Sequence, residues 1–241
     1  MESIIRDHVL NYFMRNRLFS DRQYGFIKGR STTLQLLRIL DDWTNIIDSG
    51  GQIDCIYMNF EKAFDTVPVP HKRLISKLLS YSVNGKLIKW VNAFLKDRHF
   101  RVRVNGEFSS WFAVLSGIPQ GSIGPLLFII YINDLPDVRN SLLTKIYVDA
   151  DDTKMYRCIH DSKDSYMLQS DINKVKRWAD RWLLRLNISR CESVTYTLSR
   201  DLRIVFFRSN RISNRIGRPI RFRIESSNRI SRIYHASRNT A

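Results

Sequence analysis

The chain has 241 residues and a formal net charge of +16, from 39 Lys and Arg against 23 Asp and Glu. Its 44% hydrophobic and 26% charged content is globular rather than disordered, and its length allows one large domain or two small ones. The excess charge is unevenly placed: residues 201–241 hold ten Arg, no Lys and only Asp201 and Glu225, a net of +8, and the first 200 residues carry the other +8.

Met1 to Arg6 leads into a mixed polar and apolar helix from Ile4 to Leu18 rather than into a signal peptide. Ser31 can cap a second helix running through Leu34, Leu37, Ile39, Leu40 and Trp43 to Ile47, which Ser49-Gly50-Gly51 ends. Ile53 to Phe60 is apolar and rich in strand formers, and is expected as a buried strand. It runs into a loop at Asp65 to Pro70, then helices from His71 to Leu79 and from Leu87 to Leu95. Asn105-Gly106 between two alternating segments, Phe100–Val104 and Phe108–Val114, predicts a hairpin.

Gly117 to Ser122 reads as a tight loop opening an apolar helix that reaches about Asn133. The apolar run inside it, Leu126–Ile132, is far too short to span a bilayer, so no membrane association is expected. Lys145 to Arg157 reads as strand, acidic turn, strand, with Ala150-Asp151-Asp152 at or near the turn. Leu168, Ile172, Val175, Ala179, Trp182 and Leu183 make one face of a helix, and a strand from Ser193 to Leu198 follows. The order of elements fits an α+β domain built on an antiparallel sheet.

Cys55, Cys158 and Cys191 form no CxxC pair and are odd in number, which argues against a disulfide framework or a zinc ribbon. The expected location is intracellular, nuclear or cytoplasmic, not secreted, with a polyanion as partner. After Leu198 the composition shifts to Arg, Ser, Asn and Ile, and Ser-Asn-Arg-Ile recurs at 209, 213 and 227. That tail matches no solenoid period and is expected to be low-complexity and disordered.

Asp151-Asp152 is the first constellation with chemistry in it. Two carboxylates at a sharp turn can converge on Mg²⁺, whose charge offsets their repulsion. Taken alone, the pair fits a solvated turn better, since Asp is common in turns. Three further segments shift the balance: Gln23-Tyr24-Gly25-Phe26-Ile27-Lys28-Gly29-Arg30-Ser31-Thr32, Tyr57-Met58-Asn59-Phe60-Glu61-Lys62-Ala63-Phe64-Asp65-Thr66-Val67, and Ser116-Gly117-Ile118-Pro119-Gln120-Gly121-Ser122. With Ala150-Asp151-Asp152-Thr153, this series closely resembles the reverse transcriptase domain of non-LTR (LINE-like, jockey-type) retrotransposons. Each motif alone is weak; their order over residues 1 to 198 is what carries the resemblance.

The resemblance implies a right-hand polymerase palm, an antiparallel sheet with helices packed on one face. It divides the chain into partial fingers at 1–52, palm at 53–198 and the Arg-rich tail at 199–241. It implies an RNA template, a DNA primer, deoxynucleoside triphosphates and Mg²⁺, used in a two-metal phosphoryl transfer. Asp151 and Asp152 match two of the family's three metal-binding carboxylates. Phe64 matches the aromatic that crowds the sugar 2′ position. Gln120 and Gly121 belong to the loop under the template and incoming base, and Lys28 and Arg30 match the basic fingers segment that meets the triphosphate.

The third carboxylate of the family is Asn59 here. An amide brings no negative charge to a site for two divalent ions, a loss expected to cost on the order of thousands-fold in rate. Glu61 and Asp65 are not obvious replacements. Gly121-Ser122-Ile123-Gly124-Pro125 is one residue shorter than the family's loop, which would turn the following helix by about 100°. Thr66 to His71 carries an extra Val-Pro, Asp149 puts an acid where the family has a buried aromatic, Ile27 stands where Arg is common, and Arg190-Cys191-Glu192 stands where a Lys is expected. On the family's plan the start of the fingers, the thumb and the upstream endonuclease are expected to be missing. The expectation is a decayed, inactive reverse transcriptase fragment; the alternative is a non-catalytic basic nucleic-acid-binding protein acting through the Arg-rich tail.

Overall fold

The computed structural model of the chain describes residues 1–61, 70–114, 116–119, 121–139, 141–197 and 205–207. In chain order the elements are helices α1 (Glu2–Arg15) and α2 (Thr32–Asp48), strand β1 (Gln52–Asn59), helices α3 (His71–Ser80) and α4 (Gly85–Leu95), and the short strands β2 (His99–Phe100), β3 (Arg103–Val104), β4 (Glu107–Phe108) and β5 (Phe112–Ala113). Helix α5 (Gly124–Tyr131), strands β6 (Lys145–Asp149) and β7 (Asp152–Ile159), helix α6 (Ser162–Trp182) and strands β8 (Glu192–Thr197) and β9 (Val205–Phe207) follow. The ends of the helices follow local chemistry. The Ser31 hydroxyl accepts from the Leu34 N–H to start α2, and the Asp161 carboxylate accepts from Lys163 and Asp164 to start α6.

Five strands form one antiparallel sheet in the order β6-β7-β1-β8-β9. β1 is central, with Ile53, Cys55, Ile56 and Met58 buried between two layers. Its alternate residues enter two different layers. Ile56 and Met58 join the main core with Leu74 and Leu78 of α3, the apolar α5, and Leu168, Ile172 and Val175 of α6. Ile53 and Cys55 face the other way, against Ile39 and Trp43 of α2 and the rings of Tyr147 and Tyr156. Most helices therefore gather on one face, and α2 alone is laid on the other.

In α2 the apolar residues divide between the sheet and solvent. Leu34, Leu37 and Leu40 are exposed, together with Leu36, and the stripe turned to the sheet is Gln35, Ile39 and Trp43. The reason lies in the layer below, which is polar. The Lys154 ammonium donates to Gln35 at 3.1 Å, the Tyr156 hydroxyl donates to Asp42 at 2.9 Å, and Lys145 pairs with the same carboxylate. A stripe of leucines could not satisfy those groups.

Leu183 does not continue the buried face of α6. It ends the helix in the left-handed region at φ 57° and is exposed, and Trp178 takes the buried place instead. Two charged groups sit inside the main core in paired form. Arg157 donates to Asp164 at 2.7 Å, and Lys77, which pairs with Asp134 at 2.5 Å, lies 3.8 Å from the centre of the Trp182 ring. Burial pushes the Lys77 pKa down despite that carboxylate. The tail expected from residue 199 lies outside the described residues except for Val205–Phe207. That stretch pairs with β8 as β9, in keeping with the strand preference of Val and Phe.

Candidate active site

The register of the central strands assembles the site. β1 and β7 place Asn59 opposite Asp152, and β6 and β7 place Asp152 opposite Asp149, so these three residues form a row across one end of the sheet. The row lies on the α2 face, because Asn59 shares the parity of Ile53 and Cys55. Ala150 and Asp151 make the two-residue turn joining β6 to β7, and Ala150 takes φ 54° to close it. The Phe60 N–H donates to the Asp151 carbonyl at 3.4 Å, which ties the turn to the end of β1.

Asp151, Asp152 and Asn59 are thus brought together, as the motif reading expects. The geometry among them is specific. The Asn59 side-chain NH₂ donates to Asp151 Oδ2 at 3.0 Å and to Asp152 Oδ1 at 3.0 Å. One amide nitrogen bridges both carboxylates, using its two hydrogens where a cation would otherwise balance two negative charges. Turning the amide over would set its oxygen against two anions. Among the described residues no three Asp, Glu, His or Cys side chains converge into a metal-binding group. Among the described residues, two carboxylates bridged by one amide do not fit a two-ion site.

Asp149 is drawn away from the pair rather than crowding it. Its Oδ2 accepts from the Thr32 hydroxyl in the first turn of α2, where the positive end of the helix also favours an anion. The segment before α2 is stitched to the same hairpin. Val148 donates to the Arg22 carbonyl and receives from the Tyr24 N–H, so Gln23 adds a parallel bridge along β6. Gln23, almost fully buried, accepts through Oε1 from the Gly25 N–H at 2.8 Å and from the Ala150 N–H at 3.3 Å. A Cβ on Gly25 would lie 2.5 Å from the Ala150 nitrogen, so only glycine lets the loop approach the acidic turn this closely.

The basic residues of this segment part company. Arg30 donates to the carbonyls of Ser20 at 2.5 Å and Gln23 at 2.6 Å and reaches Asp21 at 3.5 Å, so it braces its own loop. Lys28 is exposed and makes no hydrogen bond or ion pair with a described residue. Gly121 lies in the exposed loop before α5, close to Glu2. At the start of α5 a Cβ on Gly124 would stand 2.2 Å from the Pro119 carbonyl oxygen, so glycine permits that close approach. Phe64 and Gln120, with the Val-Pro insertion, lie outside the described residues.

Gln23, Gly25 and Thr32 are the site residues that residue-type reasoning passes over. Each acts through a backbone or second-row contact, and only the Gly in Tyr24-Gly25-Phe26 gives a local signal. Beneath the row, burial holds the Cys191 thiol pKa up, partly offset by a hydrogen bond with the Asn59 backbone, and pushes Cys55 up to about 12. Neither thiol is poised to act as a nucleophile. No helix among the described residues is long and apolar enough to cross a membrane.

A family model described as reverse transcriptase (RNA-dependent DNA polymerase) matches residues 1–222. The chain is 30% identical over 206 residues to a probable RNA-directed DNA polymerase from transposon X-element of Drosophila melanogaster, a match covering 83% of this chain and 22% of that protein. It is 27% identical over 208 residues to the RNA-directed DNA polymerase from mobile element jockey of Drosophila funebris, covering 82% and 22%. The chain thus spans about a fifth of the length of these curated relatives. Among solved structures, a truncated apo telomerase from Candida tropicalis gives a TM-score of 0.61 at 11% identity, over 85% of this chain and 42% of that one. A Candida tropicalis telomerase in complex with a fragment of telomeric RNA gives 0.60 at 11% identity, over 80% and 33%. The likeness at this identity is one of fold, an α+β palm-like sheet with its helices.

Proposed function

We propose, from the premise that the chain belongs to the reverse transcriptase family and to the domain carried by non-LTR retrotransposons, that it is a polymerase palm whose catalytic site has been closed by substitution. Reverse transcriptases as a family use divalent metal ions in template-directed nucleotidyl transfer. The finer expectations are an RNA template, a DNA primer, deoxynucleoside triphosphates and Mg²⁺.

The observation that carries the reading is the Asn59 bridge between Asp151 and Asp152. It occupies with hydrogen bonds the two carboxylates that the chemistry needs to keep available. With one carboxylate replaced and the others engaged, nucleotide addition by this chain is expected to be at least about a thousandfold slower than by its Asn59→Asp variant.

Primer extension on an oligo(rA) template with an oligo(dT) primer in MgCl₂ tests this, comparing the unmodified chain with Asn59→Asp. Efficient extension by the unmodified chain would overturn the inactivity. Equal silence from both proteins would show that Asn59 is not the sole block and would overturn the thousandfold difference. A second reading, a basic protein binding nucleic acid through its tail, rests on the ten Arg of residues 201–241. Deleting that segment and measuring RNA affinity against salt separates the two, since palm-borne binding survives the deletion.

A further inference from the structure

Among the described residues, the ribbon formed by β2 to β5 is covered by neither layer of the sheet. Asn105 at φ 48° and Gly106 at φ 92° make its two-residue turn, and Arg103 pairs with Phe108 and Phe100 with Phe112 across it. Phe100, Val102, Val104, Phe108, Trp111 and Phe112 are each half or more exposed. A two-stranded ribbon with no third layer is marginal in water, and so much exposed aromatic surface in one place marks a contact site.

Alternation and pairing sort these side chains into two unlike faces. Phe100 and Phe112, with ring centres 5.8 Å apart, lie with Val102 and Val104 on an apolar face, where Glu107 also falls opposite Val104. The other face joins Arg101 and Arg103 to Phe108 and Trp111. The Arg101 guanidinium stands 3.8 Å from the Phe108 ring centre and 4.6 Å from that of Trp111, and Arg103 stands 5.2 Å from Phe108. Neither guanidinium has a carboxylate partner among the described residues.

We infer that this Arg and aromatic face is a docking surface for single-stranded nucleic acid. Its charge is complementary to a phosphate backbone, and the rings offer stacking planes to bases, a combination that a neutral or basic protein surface would not satisfy. The cation–π contacts hold the guanidiniums flat against the rings before any ligand arrives, which lowers the cost of ordering them. The inference shares with the proposed function only the expectation that the chain handles nucleic acid. The two fail separately, since primer extension by Asn59→Asp reads the carboxylate site and not the ribbon.

The test uses the full chain with a 10-mer oligo(U) carrying 4-thiouridine and, in parallel, an oligo(dT) carrying 4-thiothymidine, with ultraviolet adducts mapped by mass spectrometry. Adducts on residues 98–114, centred on Phe108 or Trp111, are expected with one oligonucleotide or both, and whichever reacts identifies the sugar preferred. In fluorescence anisotropy, Trp111→Ala and Phe108→Ala are each expected to weaken binding by about five- to a hundredfold. Arg101→Gln with Arg103→Gln lowers the slope of log affinity against log salt by about 1.4. Val102→Ser with Val104→Ser, on the opposite face, leaves affinity within about twofold and shows that the ribbon tolerates substitution. Adducts confined to other segments, including the Arg-rich tail, overturn the assignment. So does a chain that self-associates through the ribbon, losing its dimer on Trp111→Ala while forming no adduct there.

Discussion

Side chains leave β1 alternately into two layers of different material. On one side Ile56 and Met58 enter a core of Leu, Ile, Val and Phe contributed by α3, α5 and α6. On the other, Cys55 and Tyr57 enter a layer of Tyr24, Trp43, Tyr147, Tyr156 and Tyr196, laced by Asp42, Lys145, Lys154 and Gln35. The first layer supplies burial, which has no direction; the second is held by hydrogen bonds, which do. Asn59 and Asp152 stand at the open end of the second layer, so the carboxylate site grows out of the directional side of the sheet. That division predicts that stability and site geometry can be damaged independently.

The largest effect is expected on the hydrocarbon side. Ile56→Ala removes three buried carbons from the middle of the central strand and should lower the unfolding free energy by about 2–5 kcal/mol. Urea denaturation gives the number. The division between layers breaks if the cost is under about 0.5 kcal/mol.

Asn59→Asp probes the other layer and should cost less, about 2 kcal/mol in chelator at neutral pH. It exchanges two hydrogen bonds to charged acceptors for repulsion among three carboxylates. The same variant should recover on adding MnCl₂, by about 2.7 kcal/mol when the ion stands at a hundred times its dissociation constant. The unmodified chain, with its amide already bridging the pair, should shift by less than about 0.5 kcal/mol. Identical metal responses from the two proteins would show that Asn59 does not stand in for a cation. This readout does not depend on polymerase activity.

The two layers were not equally legible in the sequence. The hydrocarbon layer announces itself by period: Leu168, Ile172, Val175 and Ala179 fix the buried face of α6, and the run after Gly124 fixes α5. The site was legible through motif order, and Asn59 stood out because one residue broke an otherwise matching series. What escaped was set by tertiary partners. The buried stripe of α2 is Gln35, Ile39 and Trp43 because the tyrosine layer beneath it offers Lys154 and Tyr156, which no local pattern announces. Gln23 and Thr32 serve the acidic turn from 127 and 117 residues away. Asp149 could be read as a crowding charge, but its capture by Thr32 depends on where α2 begins. The Asn105-Gly106 turn was plain, whereas the sorting of its ribbon into an apolar and an Arg-bearing face appears only once cross-strand pairs are known.

Asp54 is the exception that sharpens the division, since it is the one acid that β1 turns to the hydrocarbon side. It is almost fully buried, and burial raises its pKa above the usual aspartate value, against smaller opposing effects from the Thr195 hydroxyl at 2.8 Å and the Gln52 amide at 3.0 Å. A carboxyl whose folded pKa is raised binds its proton more tightly folded than unfolded. Its contribution is therefore most favourable at acid pH, weakens as pH rises from the ordinary aspartate value of about 3.9 through the raised one, and stays weaker above it. Asn can keep an acceptor toward Thr195 and Gln52 without carrying a charge. Asp54→Asn should accordingly be more stable than the unmodified chain at pH 7 and should converge with it near pH 3, a smaller effect than either of the other two. Urea denaturation of both proteins at the two pH values measures it. A variant less stable at pH 7 would mean that the bonds from Thr195 and Gln52 outweigh burial, and that a charge on this side of the sheet is held as firmly as those beside α2.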